Sequence, residues 1–318
     1  MYYFIGIVVL YVISTYIMLV IISKNMKSQK PLAIIHNSVS NALKPYEKVT
    51  LKGKAWVEEQ IKNHKTEDVA ITSEDGLKLH GLLIKHEKPK DVFIECHGYR
   101  STAERDLYTS CFQYYGWGYD ILLNDQRTAN KSEGKYITFG IKESQDIIQW
   151  CEYVNKRYPN LPIILAGISM GASTVLLSAD KLSKEHHVQL IVADSGFISA
   201  WDEVVYAIKH YFHLPGKCFI HMINLWCKVF GKFSLREKNT VDALKNADIP
   251  ILFIHGEDDD FVPAHNSLTN YHEYKGEKEL LIVPKANHGM GYLVDTEKYL
   301  KTVKGFIEQH MPIGEKNY

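Results

Sequence analysis

The sequence predicts an α/β fold built on a mostly parallel sheet, and three observations carry that prediction. Beyond residue 69, short apolar runs alternate with segments of helix length. Those runs lack the polar alternation of a half-exposed strand, so they read as strands buried on both faces, as parallel sheets require. Ahead of them, VAITSEDGLKLHGLLIKH reads as two strand-like runs around an Asp-Gly turn, a hairpin at the start of the sheet.

The elements follow in chain order. The first 22 residues, MYYFIGIVVLYVISTYIMLVII, contain no charged side chain, and only Gly6, Ser14 and Thr15 interrupt the apolar and aromatic run. As a helix this stretch spans ~33 Å, about one hydrocarbon core. No Lys or Arg precedes Lys24 and no small-residue cleavage site follows, so residues 1–23 read as a transmembrane anchor and not as a cleaved signal. Lys24, Lys27 and Lys30 then favour a catalytic domain on the cytoplasmic side of a single-pass protein. Residues 24–66 are polar, carry Pro31 and Pro45, and read as a juxtamembrane connector with a short helix around Trp56 to His64.

The main domain is expected over 67–312. After the hairpin its strands are DVFIEC (91–96), YDILL (119–123), PIILAGI (162–168), LIVA (190–193), PILFIH (250–255) and ELLIV (279–283), with amphipathic helices over 141–158 and 170–183. Residues 197–240 are far longer than a crossover helix needs. They hold nine aromatics between Phe197 and Phe233, about twice the density of a chain that is 12% aromatic. A helical cap insertion with an apolar underside, suited to an acyl or aromatic group, accounts for both features.

Composition excludes several classes. Lys plus Arg and Asp plus Glu both number 37 among 318 residues, and no long basic run gives a footprint for nucleic acid. The five cysteines (Cys96, Cys111, Cys151, Cys218 and Cys227) are odd in number and not closely spaced, so no disulfide framework is indicated. His210, His213, Cys218, His221 and Cys227 gather in the insertion, but neither H-E-x-x-H nor paired C-x-x-C spacing is present, and no metal is expected. No Gly-rich phosphate-binding fingerprint follows a strand, so nucleotide binding has no support.

The chemistry centres on Ser169. In ILAGISMGASTVLLSAD a buried strand ends at Ile168 and a small-residue helix starts at once, the context of a nucleophile elbow. Gly167 and Gly171 are needed there because strand and helix approach too closely for side chains. Serine needs a base within hydrogen-bond reach, and the base needs an acid to hold its tautomer. PILFIHGEDDDFVPAH offers Asp258, Asp259 and Asp260 past one strand end, and LLIVPKANHGMGY offers His288 past the next. Open α/β sheets place their sites at such strand ends. The backbone amides of Met170 and of Tyr99, in FIECHGYRST, are the expected oxyanion-hole donors. His97 is read as a brace for that loop, not as a base.

CHGYRS, NDQRTANKSEG, GISMGAST, ADSGF, HGEDDDFVP and NHGMGY fall in one order across residues 69–310. In that order the chain resembles the α/β-hydrolase superfamily. With its anchor it is similar to bacterial membrane-anchored members related to the serine aminopeptidase and prolyl-oligopeptidase-like branch. The resemblance implies an α/β-hydrolase fold and a serine hydrolase that cleaves a carboxylic ester, thioester or amide through an acyl-enzyme, without cofactor. It also selects the acid, since H-G-x-x-D-x-x-V-P matches His255 to Pro263 and points to Asp259; Asp194 is the rival position. The chain departs from the family's D-x-R-G-x-G-x-S-x-G loop at Thr128 and Asn130, where glycines are usual. The implied substrate is a small-molecule or lipid-like acyl compound. Acyl transfer on the same fold, and an inactive binding protein that keeps the fold as a scaffold, are the alternatives.

Overall fold

The computed structural model describes residues 2–23, 44–182 and 184–311. Residues 24–43 of the expected connector, with Lys24, Lys27 and Lys30, lie outside the described residues. Helix α1 covers Tyr2–Ser23. Its segment Ile5–Ser23, with mean hydropathy 2.7, is long and apolar enough to cross a membrane. Helix α2, Glu47–Lys62, is longer than the short helix expected around Trp56 and begins well before it. Tertiary packing explains the difference. A Cβ on Gly53 would lie 2.5 Å from the carbonyl oxygen of Tyr108, so α2 is pressed onto the following helix along its length.

Strands β1 (Thr66–Thr72) and β2 (Lys78–Ile84) form the hairpin. There follow β3 (Val92–Cys96), α3 (Tyr108–Gly116), β4 (Asp120–Asn124), α4 (Glu143–Arg157), β5 (Ile163–Ile168), α5 (Met170–Ser178) and β6 (Val188–Asp194). An insertion carries α6 (Ala200–Phe212) and α7 (Gly216–Trp226), which runs into a π turn over Cys227–Gly231. Strand β7 (Ile251–Gly256), α8 (His265–Glu273), β8 (Lys278–Val283) and α9 (Thr296–His310) complete the domain. Every apolar run expected to be a strand is one, with ends moved by a residue or two. Helix α5 differs from expectation. All nine of its residues are buried, so it has no polar face and is not amphipathic.

The eight strands lie in the order β1-β2-β4-β3-β5-β6-β7-β8, and β2 alone runs against the rest. Successive residues point to opposite faces of the sheet. Phe93, Ile164 and Leu252 therefore enter one core with α3 and α9, while Ile94, Leu165 and Phe253 enter the other with α4 and α5. The chain turns outward from β3 to β4 and returns to β5, so α3 and α5 leave neighbouring strands toward opposite faces. That reversal opens a crevice at the carboxyl ends of β3 and β5, where open sheets of this kind place their ligands. A third apolar cluster joins the insertion to α1 through Met18, Leu19, Ile22, Ile208, Ile220 and Ile223.

Candidate active site

Ser169 stands between β5 and α5 with φ 56° and ψ −121°, a conformation that side-chain-bearing residues rarely hold. Its neighbours over-determine it. The Ser169 amide donates to the Asp194 carbonyl (2.7 Å), and the Ser169 carbonyl accepts from the Ser173 amide (3.0 Å). A Cβ on Gly167 would sit 2.4 Å from the carbonyl of Gly171, and one on Gly171 would sit 2.0 Å from the carbonyl oxygen of Cys96. The two glycines thus let β5, α5 and the end of β3 converge beneath the serine.

His288 lies in the loop after β8 and reaches both of its expected neighbours. Its Nε2 is 2.8 Å from Ser169 Oγ, and its Nδ1 donates to Asp259 Oδ2 at 2.7 Å. Of the three aspartates after β7, only Asp259 is buried. Its Oδ1 accepts the amides of Phe261 (3.0 Å) and Val262 (2.8 Å), and its Oδ2 also lies 3.1 Å from His255 Nε2. Burial alone would raise the Asp259 pKa, but His288 and His255 outweigh it and hold the carboxyl well below the usual carboxylate range. For His288 burial works downward, and the adjoining Asp259 carboxylate, aided by Glu203 and Asp194, raises the imidazole above its ordinary value. A hydroxyl on such an imidazole can pass its proton to the ring as it attacks a carbonyl carbon.

Met170 is the first residue of α5, where backbone N–H groups have no acceptor within the helix. The loop after β3 passes directly beside the serine, since a Cβ on Gly98 would be 3.3 Å from Ser169 Cβ. Tyr99 follows in that loop and borders the same space as Ser169. Asp106 fixes the loop by accepting the Gly98 amide (2.8 Å) and the Ser101 hydroxyl (2.6 Å). His97 is buried away from Ser169. Its Nδ1 donates to the Gly98 carbonyl (2.9 Å) and its Nε2 accepts the Gln126 amide (3.2 Å). Asp194 also stands apart from His288, its carboxylate taken up by the hydroxyls of Ser195 (2.9 Å) and Tyr299 (3.1 Å).

Two cavities meet at Ser169. One, of about 180 Å³, is bordered by Arg100, Ser101, Asp106, Asp260 and Asn287 as well as His288. The other, of about 260 Å³, is almost wholly apolar, with Phe139, Phe197, Val204, Ala207 and Ile208 among its walls. Glu203 of α6 is the acidic side chain on that wall, and burial pushes its pKa up to about 8. Nothing in the local sequence marks Glu203, which is one charge among many on an amphipathic helix. Nor does the sequence reveal that Ile21 and Ile22 of α1 border the same cavity.

The loop that departs from the family pattern keeps its glycine-type backbone, with Thr128 at φ 74° and Asn130 at φ 47°. It is tied down by Arg127, which bonds Asp146 through Nε (2.8 Å) and Nη2 (2.6 Å) and Asp75 through Nη1 (3.0 Å). Among the described residues, no three His, Cys, Asp or Glu side chains are grouped to hold a metal ion. In the insertion, His221 packs on Trp201 and His210 on Tyr206, while Cys227 is buried.

Comparison with known proteins agrees with this fold. Residues 87–223 match the family model for serine aminopeptidase, S33, and residues 235–314 match that for PhoPQ-activated pathogenicity-related protein. The uncharacterized protein YqkD of Bacillus subtilis (strain 168) is 27% identical over 241 residues, 75% of this chain and 78% of that one. The esterase Pf2001 of Pyrococcus furiosus is 26% identical and superposes with a TM-score of 0.64, covering 77% of this chain and 91% of its own. An acylaminoacyl peptidase of Pyrococcus horikoshii, 22% identical, shares the fold with a TM-score of 0.57 over 80% of this chain and 43% of its own. The activity these likenesses support is of the serine-hydrolase type. The chain belongs to the α/β-hydrolase superfamily, and its residues 87–223 are similar to the serine aminopeptidase branch of it.

Proposed function

We propose that the protein is a membrane-anchored serine hydrolase that cleaves a carboxylic ester through an acyl-enzyme, with Ser169 as nucleophile, His288 as base and Asp259 as the acid that orients it. The observation that carries this reading is the unbroken hydrogen-bond chain from Ser169 Oγ through His288 to Asp259. As Ser169 Oγ bonds to the acyl carbon, its proton moves to His288 Nε2. The negative charge on the carbonyl oxygen is met by the amides of Met170 and Tyr99. His288 then returns the proton to the departing alcohol. Water repeats the cycle, giving up a proton to His288 and releasing the acid.

The two cavities support an ester over a peptide substrate. An acyl group fits the apolar side, and the alcohol fits the side bordered by Arg100, Ser101 and Asn287. Esterase Pf2001, whose fold this chain shares over most of its length, supports the same choice. Helix α1 supports a membrane location, with residues 67–312 forming the catalytic domain and the insertion over 197–240 its cap. Which side of the membrane the domain faces rests on Lys24, Lys27 and Lys30, and the cytoplasmic side is the one they favour.

A fluorophosphonate probe tests the mechanism on the detergent-solubilised full chain. The wild type should be labelled and should hydrolyse p-nitrophenyl esters, and Ser169→Ala and His288→Ala should abolish both. Labelling that survives Ser169→Ala would refute the assignment.

A further inference from the structure

We propose that α1 is a wall of the acyl site as well as a tether, so that the substrate is an acyl ester drawn from the bilayer in which α1 sits. The inference rests on the serine-hydrolase reading and names its substrate class.

The end of α1 is built into the catalytic domain. The last carbonyls of a helix have no partner within it and usually turn to water. Here the Ile21 carbonyl accepts Arg100 Nη1 (2.6 Å), that of Ile22 accepts the Tyr99 hydroxyl, and that of Ser23 accepts the Ile137 amide (2.7 Å). Two of these donors belong to the loop that carries the second oxyanion donor. Ile21 and Ile22 line the apolar cavity together with Ala207 and Phe212 of α6 and with Ser169. Met18, Leu19 and Ile22 share one apolar cluster with Met170. A chain bound to Ser169 and lying in that cavity would touch the membrane helix itself.

The other flank of α1 identifies the surroundings as lipid. Ile5, Ile7, Leu10, Ile13 and Ile17 are exposed. Beside them α7 and its π turn expose Leu225, Val229 and Phe230, joined to α1 by packing of Tyr16 on Phe230 (5.3 Å) and on Trp226 (5.9 Å). The two elements form one continuous apolar surface, far more than a soluble protein leaves to water. Exposed Lys228 and Lys232 lie at the π turn and just past it, where long basic side chains can reach the headgroup layer. A helix able to cross the membrane therefore brings the insertion, and the acyl cavity beneath it, to the bilayer surface. At about 260 Å³ the cavity suits one acyl chain and not a two-tailed lipid.

The test uses the full chain in phosphatidylcholine vesicles and an alkyl fluorophosphonate with a diazirine near the end of its chain. Ser169 Oγ bonds to phosphorus, fluoride leaves and the serine proton goes to His288. Light then links the chain end to whatever it touches. Cross-links to the α1 peptide containing Ile21 and Ile22, together with α6, are expected. A Ser169 adduct whose cross-links all avoid α1 would overturn the inference and leave the hydrolase mechanism standing. Absence of any adduct would overturn both. In a second measurement, Ile22→Trp should fill part of the cavity and lower the laurate-to-acetate ratio of kcat/KM at least tenfold, the worth of about two buried methylenes. Val9→Trp, on the exposed flank, should leave that ratio unchanged. An unchanged ratio in Ile22→Trp would count against the wall.

Discussion

Replacing Asp259 by Asn probes the site with little change of shape. The outcome follows from which donors surround the carboxylate. Oδ1 accepts two backbone amides, from Phe261 and Val262, which cannot turn away. An asparagine must keep its carbonyl oxygen there, because its NH₂ would face two N–H groups. The NH₂ therefore takes the Oδ2 position, 2.7 Å from His288 Nδ1. Two donors cannot face each other at that distance, so His288 must present a lone pair at Nδ1 and carry its proton on Nε2. That nitrogen, 2.8 Å from Ser169 Oγ, can then no longer take the serine proton. The ring stays in place with the wrong tautomer.

The same exchange in Ser-His-Asp proteases lowers kcat about 10⁴-fold, equal to ~5 kcal/mol of transition-state stabilisation. Asp259→Asn should lose a similar factor in kcat on p-nitrophenyl butyrate, with thermal unfolding within a few degrees of wild type. The rate of fluorophosphonate labelling should fall in parallel, since it reports the same proton transfer. A variant that keeps its fold and more than a tenth of wild-type kcat would refute the argument. The orienting carboxylate would then have to be sought elsewhere, with Asp194 the first position to examine.

Three further outcomes follow. Because the Asp259 carboxylate raises the His288 pKa and catalysis needs the neutral ring, kcat/KM should climb with pH through a midpoint above the ordinary histidine value. A pH–rate profile checks it, and a midpoint at or below that value would refute the assignment. Gly171→Ala would put a methyl group 2.0 Å from the Cys96 carbonyl and 2.8 Å from that of His97, forcing the oxyanion loop from the serine. A displacement of about 1 Å costs ~10²-fold, so kcat should fall at least that far, while wild-type turnover would contradict the packing. Arg127→Met should strand the buried Asp146 carboxylate, at a cost of ~3–5 kcal/mol and roughly 10 °C in melting temperature, measured by calorimetry.

The sheet was legible because its inner strands, β3 to β7, are short apolar runs, a pattern fixed by burial on both faces. The elbow was legible for a related reason. Two glycines flanking a serine between a strand and a small-residue helix leave few other structures, and the 2.0 Å and 2.4 Å approaches behind Gly171 and Gly167 show the crowding that selects them. What escaped the sequence depends on partners distant along the chain. Asp258, Asp259 and Asp260 look alike until the turn buries the middle one against two amides and two imidazoles. Helix α2 extends to Glu47 because its Gly53 meets Tyr108, 55 residues on. Glu203 and Ile22 gain their positions only once the insertion folds back over Ser169, which periodicity along one helix cannot convey. Thr128 and Asn130 show the limit of reading a residue type as a backbone state. Both hold the positive φ that glycine would favour, because the Arg127 ion pairs and neighbouring bonds dictate the loop.

Two carboxylates, Asp194 and Asp259, stand buried at adjacent strand ends, and their surroundings suit them to different tasks. Burial pushes both toward the protonated form. At Asp194 the Ser195 and Tyr299 hydroxyls, with the charges of His255 and His288 acting without a direct bond, do not offset the burial, and its pKa stays raised. At Asp259 two fixed amides and two imidazoles more than cancel the burial, and its pKa is lowered. In the proposed mechanism, only a carboxylate held in its charged form can steady the imidazolium that forms as Ser169 gives up its proton. Asp194 serves the serine by another route, since its backbone carbonyl accepts the Ser169 amide and helps to hold the strained elbow. Asp194→Asn keeps that carbonyl while altering the side chain. It should therefore leave kcat within a few-fold of wild type, and a loss approaching that of Asp259→Asn would overturn this division of labour.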